Sequence, residues 1–279
     1  MIRLSALFLF LGLSFSLNAQ VDLESLAKSE IANYYKLKQY SNKRSGNEGI
    51  DIVYAGLYLN PNMKNAYLKG QVNFYFKTST PINQLTFDLR NELTVDSIKH
   101  GNEKLIFVHS ANEIITIAFN QTIASNTLDS VHIYYQGTPL QNTRAYERNV
   151  TASGPIIATL SEPYGAPYWW PCRDNLIDKI DSLDVRVTVD TAYKVASNGL
   201  LQSITKADTI HTYHWKHRYP IANYLVAFSA SKYSVYSDFA KLKSGKNLEI
   251  LNYVFPHNEA DARSKTPATI RVMQLFDSL

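Results

Sequence analysis

The sequence predicts an all-β, antiparallel architecture with short helices at both ends, and three observations carry that reading. Short runs rich in β-branched and aromatic residues recur along most of the chain, each bounded by Asn, Gly, Pro or Ser. Tyrosine is unusually frequent, with 19 copies beside 12 Phe and 3 Trp, which favours strands over helices. Hydropathy alternates with a period of two from Asp51 and becomes helical only beyond Pro256. With 279 residues, the chain has room for one large β-domain or two small ones.

Residues 1–19 read as a secretory signal peptide. Arg3 supplies the positive start, Leu4 to Leu17 the apolar stretch, and Leu17-Asn18-Ala19 a cleavage site before Gln20. A membrane anchor needs about 20 apolar residues, and this stretch is shorter and interrupted by Ser. No later segment has the length to span a bilayer, so an exported product is expected: periplasmic, cell-surface or secreted. Residues 20–50 follow as a short helix over Val21 to Leu37 and a polar linker over Lys38 to Gly49.

The first strand alternates Ile52, Tyr54, Gly56 and Tyr58 with Val53, Ala55, Leu57 and Leu59, a pattern that predicts burial on both faces. Tyr67 to Phe76, Leu85 to Leu89, Lys104 to His109, Glu113 to Phe119 and Val131 to Tyr135 are the next strands. Asn198-Gly199, between Tyr193–Ser197 and Leu200–Ile204, predicts a type I′ hairpin, since both residues tolerate positive φ. Thr209 to Lys216 pairs after a second hairpin. The apolar run Tyr224 to Ser229 predicts a buried strand, and Leu248 to Phe255 is the last one. From Glu259 the spacing is helical, with Ile270, Met273, Leu275 and Phe276 on or near one face. That helix reaches Leu279 without a C-cap or polar tail, and the expectation is that it belongs to a longer sequence.

The 28 basic and 24 acidic residues give +4, spread without long runs, so no basic stripe marks a nucleic-acid partner. The single Cys172 has no second cysteine with which to form an internal disulfide. Three histidines cluster in His211-Thr-Tyr-His-Trp-Lys-His217, but a strand puts His214 on the face opposite His211 and His217. Along their shared face those two are about 20 Å apart, too far for one metal ion.

The densest segment is Ser161-Glu-Pro-Tyr-Gly-Ala-Pro-Tyr-Trp-Trp-Pro-Cys-Arg-Asp174, with Lys179 five residues on. It resembles the signature Gln-x-Glu-Pro-x-x-Ala-Arg-x-x-Phe-Pro-Cys-x-Asp-x-Pro-x-x-Lys near the end of the N-terminal β-domain of M1-family zinc aminopeptidases. Glu162, Pro163, Ala166, Pro171, Cys172, Asp174 and Lys179 match it in type and spacing, whereas Pro167 stands in place of Arg and Leu176 in place of Pro. Asp51-Ile-Val-Tyr54, Leu68 to Tyr75, Leu85 to Val95, Val131 to Gly137, Ser197-Asn-Gly199 and Asn223 to Phe228 are similar to further landmarks of that domain, in order. Thr266 to Leu279 resembles the first helix of the family's catalytic domain.

The resemblance implies a large antiparallel β-sandwich, saddle-like in the family, over residues 51–256, and the start of a thermolysin-like catalytic domain over 257–279. It implies that Glu162 anchors the free α-ammonium group of a peptide substrate. In the complete enzyme it further implies zinc held by two His and a Glu, with a second Glu as general base. His-Glu-x-x-His occurs nowhere in this sequence, so this chain is expected to hold no zinc of that kind and to be inactive without a downstream catalytic domain. The other reading is a stand-alone, non-catalytic module that binds a peptide or protein. Trp169, Trp170, Tyr164 and Tyr168 are expected to pack, Cys172 to act as a small buried hydrophobe, and Asp174 and Lys179 to be structural.

Overall fold

The computed structural model describes residues 49–175 and 177–279. The expected signal peptide, the Val21–Leu37 helix, nearly all of the linker and Leu176 lie outside the described residues. The first half holds β1 (Ile50–Pro61), β2 (Leu68–Thr78), β3 (Ile82–Asp88), β4 (Leu93–His100), β5 (Glu103–Lys104) and β6 (Ile106–His109). It continues through β7 (Ile114–Ile123), β8 (Leu128–Gly137), β9 (Glu147–Thr151) and β10 (Gly154–Ala158). The second half holds β11 (Ser182–Asp190), β12 (Lys194–Ser197), β13 (Leu200–Lys206), β14 (Ile210–His217), β15 (Phe228–Ser231), β16 (Ser234–Lys241) and β17 (Asn247–Val254). Two helices, α1 (Glu259–Lys265) and α2 (Pro267–Ser278), close the chain.

Four sheets result. The largest has the order β13-β14-β11-β1-β2-β8-β4-β5; the others are β12-β15-β10-β9, β3-β7-β6 and the hairpin β16-β17. The all-β reading holds. One pairing departs from antiparallel: β1 and β11 run parallel, with Tyr54 opposite Ser182 and Leu59 opposite Val187. The core lies between the large sheet and the smaller ones. Phe74 of β2 stacks on Phe87 of β3 at 4.4 Å, and alternate residues such as Leu57, Val72, Ile133 and Val187 are fully or nearly fully buried.

The first strand is not buried on both faces. A bulge between Ile52 and Tyr54 shifts the register, so Ile50 and Ile52 join Ala55, Leu57 and Leu59 in the core while Tyr58 is exposed. The run Lys104 to His109 divides at buried Leu105, with β5 in the large sheet and β6 in the three-stranded one. The run Tyr224 to Ser229 opens as a 3₁₀ turn over Asn223–Leu225, and its strand begins only at Phe228.

Asn198-Gly199 is a corner rather than a hairpin: β12 pairs with β15, whereas β13 pairs with β14 in another sheet. The Asn198 amide donates to the Leu225 carbonyl at 3.0 Å and its oxygen accepts from the Ala227 amide at 2.7 Å. The same dipeptide chemistry thus serves a change of sheet. Gly199 sits at φ +84, and a Cβ there would lie 2.1 Å from the Lys216 carbonyl oxygen. Gly199→Ala is therefore expected to destabilise the fold by at least about 2 kcal/mol, measured by urea denaturation against wild type.

The C-terminal helical region is broken at Thr266, where Pro267 opens a new first turn. On α2, Val272, Leu275 and Phe276 are exposed.

Candidate functional site

The segment Ser161–Asp174 leaves the four-stranded sheet after β10 and is fixed at almost every step. Thr159 exchanges hydrogen bonds with Phe228, through its amide at 3.1 Å and its hydroxyl at 3.0 Å. The Leu160 amide donates to the Arg144 carbonyl at 3.0 Å. A tight turn follows, with the Gly165 amide 2.6 Å from the Ser161 carbonyl. A side chain at Gly165 would press on Ala145 at 2.9 Å, so the turn needs glycine for close approach. The 3₁₀ turn Ala166–Tyr168 comes next, opened by Pro167.

Trp169 and Trp170 are completely buried. The Trp169 indole donates to Ser161 Oγ at 2.9 Å, and its carbonyl accepts the Tyr135 hydroxyl at 2.9 Å. Its ring meets Phe228 edge-on at 5.6 Å, and Trp170 stacks toward Phe74 at 6.4 Å. Packing against the core, as expected, is the work of both tryptophans. Burial pushes the Tyr135 phenol well above its ordinary value, so it remains a donor.

The second half of the loop is tied to the strand β3. Asp88 and Cys172 exchange backbone hydrogen bonds at 2.7 and 3.1 Å, and the Asp88 carboxylate accepts the Asp174 amide at 3.0 Å. Cys172 is wholly buried. Arg173, only 5% exposed, donates to the Ile50 carbonyl at 2.9 Å and pairs with Asp178 at 2.6 Å. Burial holds the guanidinium below its ordinary pKa and the Asp178 carboxyl above its own, while their mutual attraction opposes both shifts. The Asn223 amide bonds the Arg173 carbonyl. Arg90 secures the middle: its amide donates to Pro167, its guanidinium binds Glu113 at 2.8 Å, and it lies 4.7 Å over the Tyr168 ring.

Against this fixed background Glu162 stands apart. It is exposed, follows buried Ser161, and makes no side-chain hydrogen bond or ion pair among the described residues. The Glu162–Pro163 peptide is cis. Tyr164 and Tyr168 are half-buried, Asp174 is buried and Lys179 is exposed. The chemistry on offer is a solvent-facing carboxylate on a base locked from both sides.

Sequence reading did not single out Arg90, Asp88 or Tyr135. Asp88 had a signal of its own, a lone acid within the apolar run Leu85 to Leu89. The histidine run is confirmed as divided: His214 faces Asp184 at 3.3 Å, on the side opposite buried Tyr213 and Trp215. Among the described residues no three His, Cys, Asp or Glu side chains are placed to share a metal ion.

Tyr135→Phe removes the one donor to the Trp169 carbonyl among the described residues while keeping the ring. A loss of about 1–3 kcal/mol is expected from leaving that buried oxygen unpaired, read by chemical denaturation followed through tryptophan fluorescence. An unchanged midpoint would show that the bond does not tie the loop to the sheet.

Comparison with known proteins agrees with this architecture. The family described as the peptidase M1 N-terminal domain matches residues 33–225. Endoplasmic reticulum aminopeptidase 1 of Rattus norvegicus is 22% identical over 251 residues, 82% of this chain and 26% of that protein. Among solved structures, an M1 zinc metallopeptidase from Deinococcus radiodurans superposes with a TM-score of 0.64 at 20% identity, over 74% of this chain and 47% of that one. Its E323A mutant bound to a Tyr-Ser-Ala substrate gives 0.66 at 19% identity, over 82% and 53%. The chain thus spans about a quarter of the rat protein and about half of each solved chain. It belongs to the peptidase M1 N-terminal domain family.

Proposed function

We propose that this member of the M1 N-terminal domain family is the substrate-anchoring half of an exported zinc aminopeptidase, and that Glu162 receives the α-ammonium group of the peptide. The observation that carries the reading is Glu162 itself: an exposed carboxylate without a protein partner among the described residues, next to buried Ser161 on a loop anchored by the buried Trp169 and Trp170. An exopeptidase must count from the free N-terminus. A carboxylate offers an ammonium group a charge-assisted hydrogen bond, stronger than a neutral one. Fixing the loop that carries that carboxylate beforehand lowers the cost of orienting the substrate. Export rests on the Arg3–Ala19 leader pattern.

The zinc belongs, on this reading, to a catalytic domain downstream. The zinc metallopeptidases among the relatives support this, as does their greater length. When bound there, zinc supplies Lewis-acid activation of water for attack on the first peptide bond. The exposed apolar side chains Val272, Leu275 and Phe276 of α2 suit packing against such a domain. The described part of this chain contributes positioning and no metal ligand set.

The gene should continue past the Leu279 codon in frame through His-Glu-x-x-His; a frame without it overturns the aminopeptidase reading. In the full-length product, Glu162→Ala is expected to lower kcat/KM on an unblocked peptide about 10- to 100-fold, equivalent to about 1.5–3 kcal/mol. Glu162→Gln should fall between the two. The penalty should shrink above about pH 8, where the substrate amine loses its proton. Unchanged kinetics in Glu162→Ala would remove the anchoring role.

A further inference from the structure

The eight-stranded sheet has a second face, turned away from the core, and the strand registers give its composition. One row across neighbouring strands reads His214, Arg186, Tyr58, Gln71, Tyr134. The adjoining row reads Lys216, Asp184, Gly56, Asn73, His132, and a third begins with Tyr54 opposite Tyr75. Their chain neighbours Leu57, Val72, Ile133 and Val185 are buried, so these rows look outward. Neither of the first two rows contains an aliphatic side chain longer than glycine.

The aromatic rings are held in place. The Arg186 guanidinium sits 5.0 Å from the Tyr58 ring centre, on the β11 side, and the Lys99 ammonium sits 5.5 Å from the Tyr134 ring centre, on the β4 side. The two cations bracket the pair from outside, with Gln71 between the rings on β2. Gln71 donates its amide to Asn73 Oδ1 at 2.7 Å. That leaves the Gln71 oxygen and the Asn73 amide nitrogen without a protein partner among the described residues. Tyr54 leans over Gly56, where a Cβ would come within 2.9 Å of its hydroxyl. It reaches Asp184 at 3.1 Å.

The strip between the props is uncharged near neutral pH. Arg186 is balanced by Asp184 at 3.4 Å, whose side chain is only 6% exposed. Burial and the nearby Lys99 hold His132 below the ordinary histidine range. Burial and Asp184 push the Tyr54 phenol up to about 12.

We propose that this face is a binding platform for an uncharged oligosaccharide lying across the strands β1, β2 and β8. A sugar ring presents a flat C–H face and an edge of hydroxyls; the strip presents the exposed Tyr58 ring, the half-buried Tyr134 ring and side-chain amides with open donors and acceptors. Tyr58 and Tyr134 are two strand spacings apart, about 9–10 Å, close to the repeat of two sugar units in an extended chain. Alternate sugars then meet a tyrosine, and the one between meets Gln71 and Asn73. A polyanion would find cations only at the edges of the strip, in Arg186 and Lys216 on one side and Lys99 on the other, and an apolar protein surface would find no aliphatic side chain to bury within these rows. The proposal is independent of the peptidase reading and stands or falls without it.

The test is titration calorimetry of the purified chain with four neutral probes: cellohexaose, laminarihexaose, maltohexaose and chitohexaose. Heparin serves as the polyanion probe. At least one neutral hexasaccharide should bind with a submillimolar Kd that salt does not change. Tyr58→Ala and Tyr134→Ala should each weaken that binding about tenfold or more, equivalent to about 1.4 kcal/mol. Should either variant fail to fold, nitration of wild-type tyrosines by tetranitromethane, mapped by mass spectrometry, gives a second reading. The bound sugar should protect Tyr58 and Tyr134. Failure of all four sugars to bind, binding that both substitutions leave intact, absence of protection, or salt-sensitive binding of heparin alone each overturns the proposal.

Discussion

The hydroxyl of Tyr135 is the point where the large sheet is tied to the signature loop. Tyr135 belongs to a central strand of the large sheet, lies fully buried, and donates its only proton to the carbonyl of Trp169 in the signature loop. Room for its ring comes from Gly70 on the adjacent strand, where a Cβ would fall 2.3 Å from the ring. One glycine therefore admits one tyrosine, and that tyrosine supplies a buried backbone oxygen that water cannot reach. The tryptophan pair then packs over Phe74 and Phe228, closing the space between the sheets.

From that join the loop is determined in both directions. Upstream, Ser161 takes the Trp169 indole proton and so sets the start of the turn that carries Glu162. Downstream, Asp88 uses both its backbone and its carboxylate to hold Cys172 and Asp174, and Arg173 reaches through the core to Ile50. Removing one partner from such a buried network leaves the others unsatisfied, which is costlier than the bond itself. The family signature reads in these terms as a list of residues that make a loop immobile around one exposed carboxylate.

Much of this was legible in the chain. Alternating hydropathy marked most of the strands, and the chemistry of Trp169, Trp170 and Cys172 marked them for burial. What stayed hidden were choices between partners. Asn198-Gly199 has the composition of a hairpin turn, yet the Asn198 side chain is taken by Leu225 and Ala227, residues distant in sequence. The bulge at Val53 inverts the apparent face of half a strand, because a period-two pattern carries no record of an inserted residue. Arg90 and Tyr135 carried no signal, since their roles depend on backbone oxygens that any residue type can present. Glu162 was legible only as part of the signature; its exposure follows from the folded loop.

The parallel pairing of β1 with β11 sets the order of events in folding. Tyr54 and Asp184, in hydrogen-bond contact, are 130 positions apart, and four strands of the same large sheet, β1, β11, β13 and β14, wait on pairings made across that gap or after it. At ribosomal speeds β1 is made on the order of ten seconds before β11 exists. Through that interval its β11-facing edge, with unpaired amides and carbonyls, is open to any other strand. A large share of non-local contacts further slows the search. Holding that edge apart from its neighbours until β11 arrives is the task that synthesis leaves to the cell.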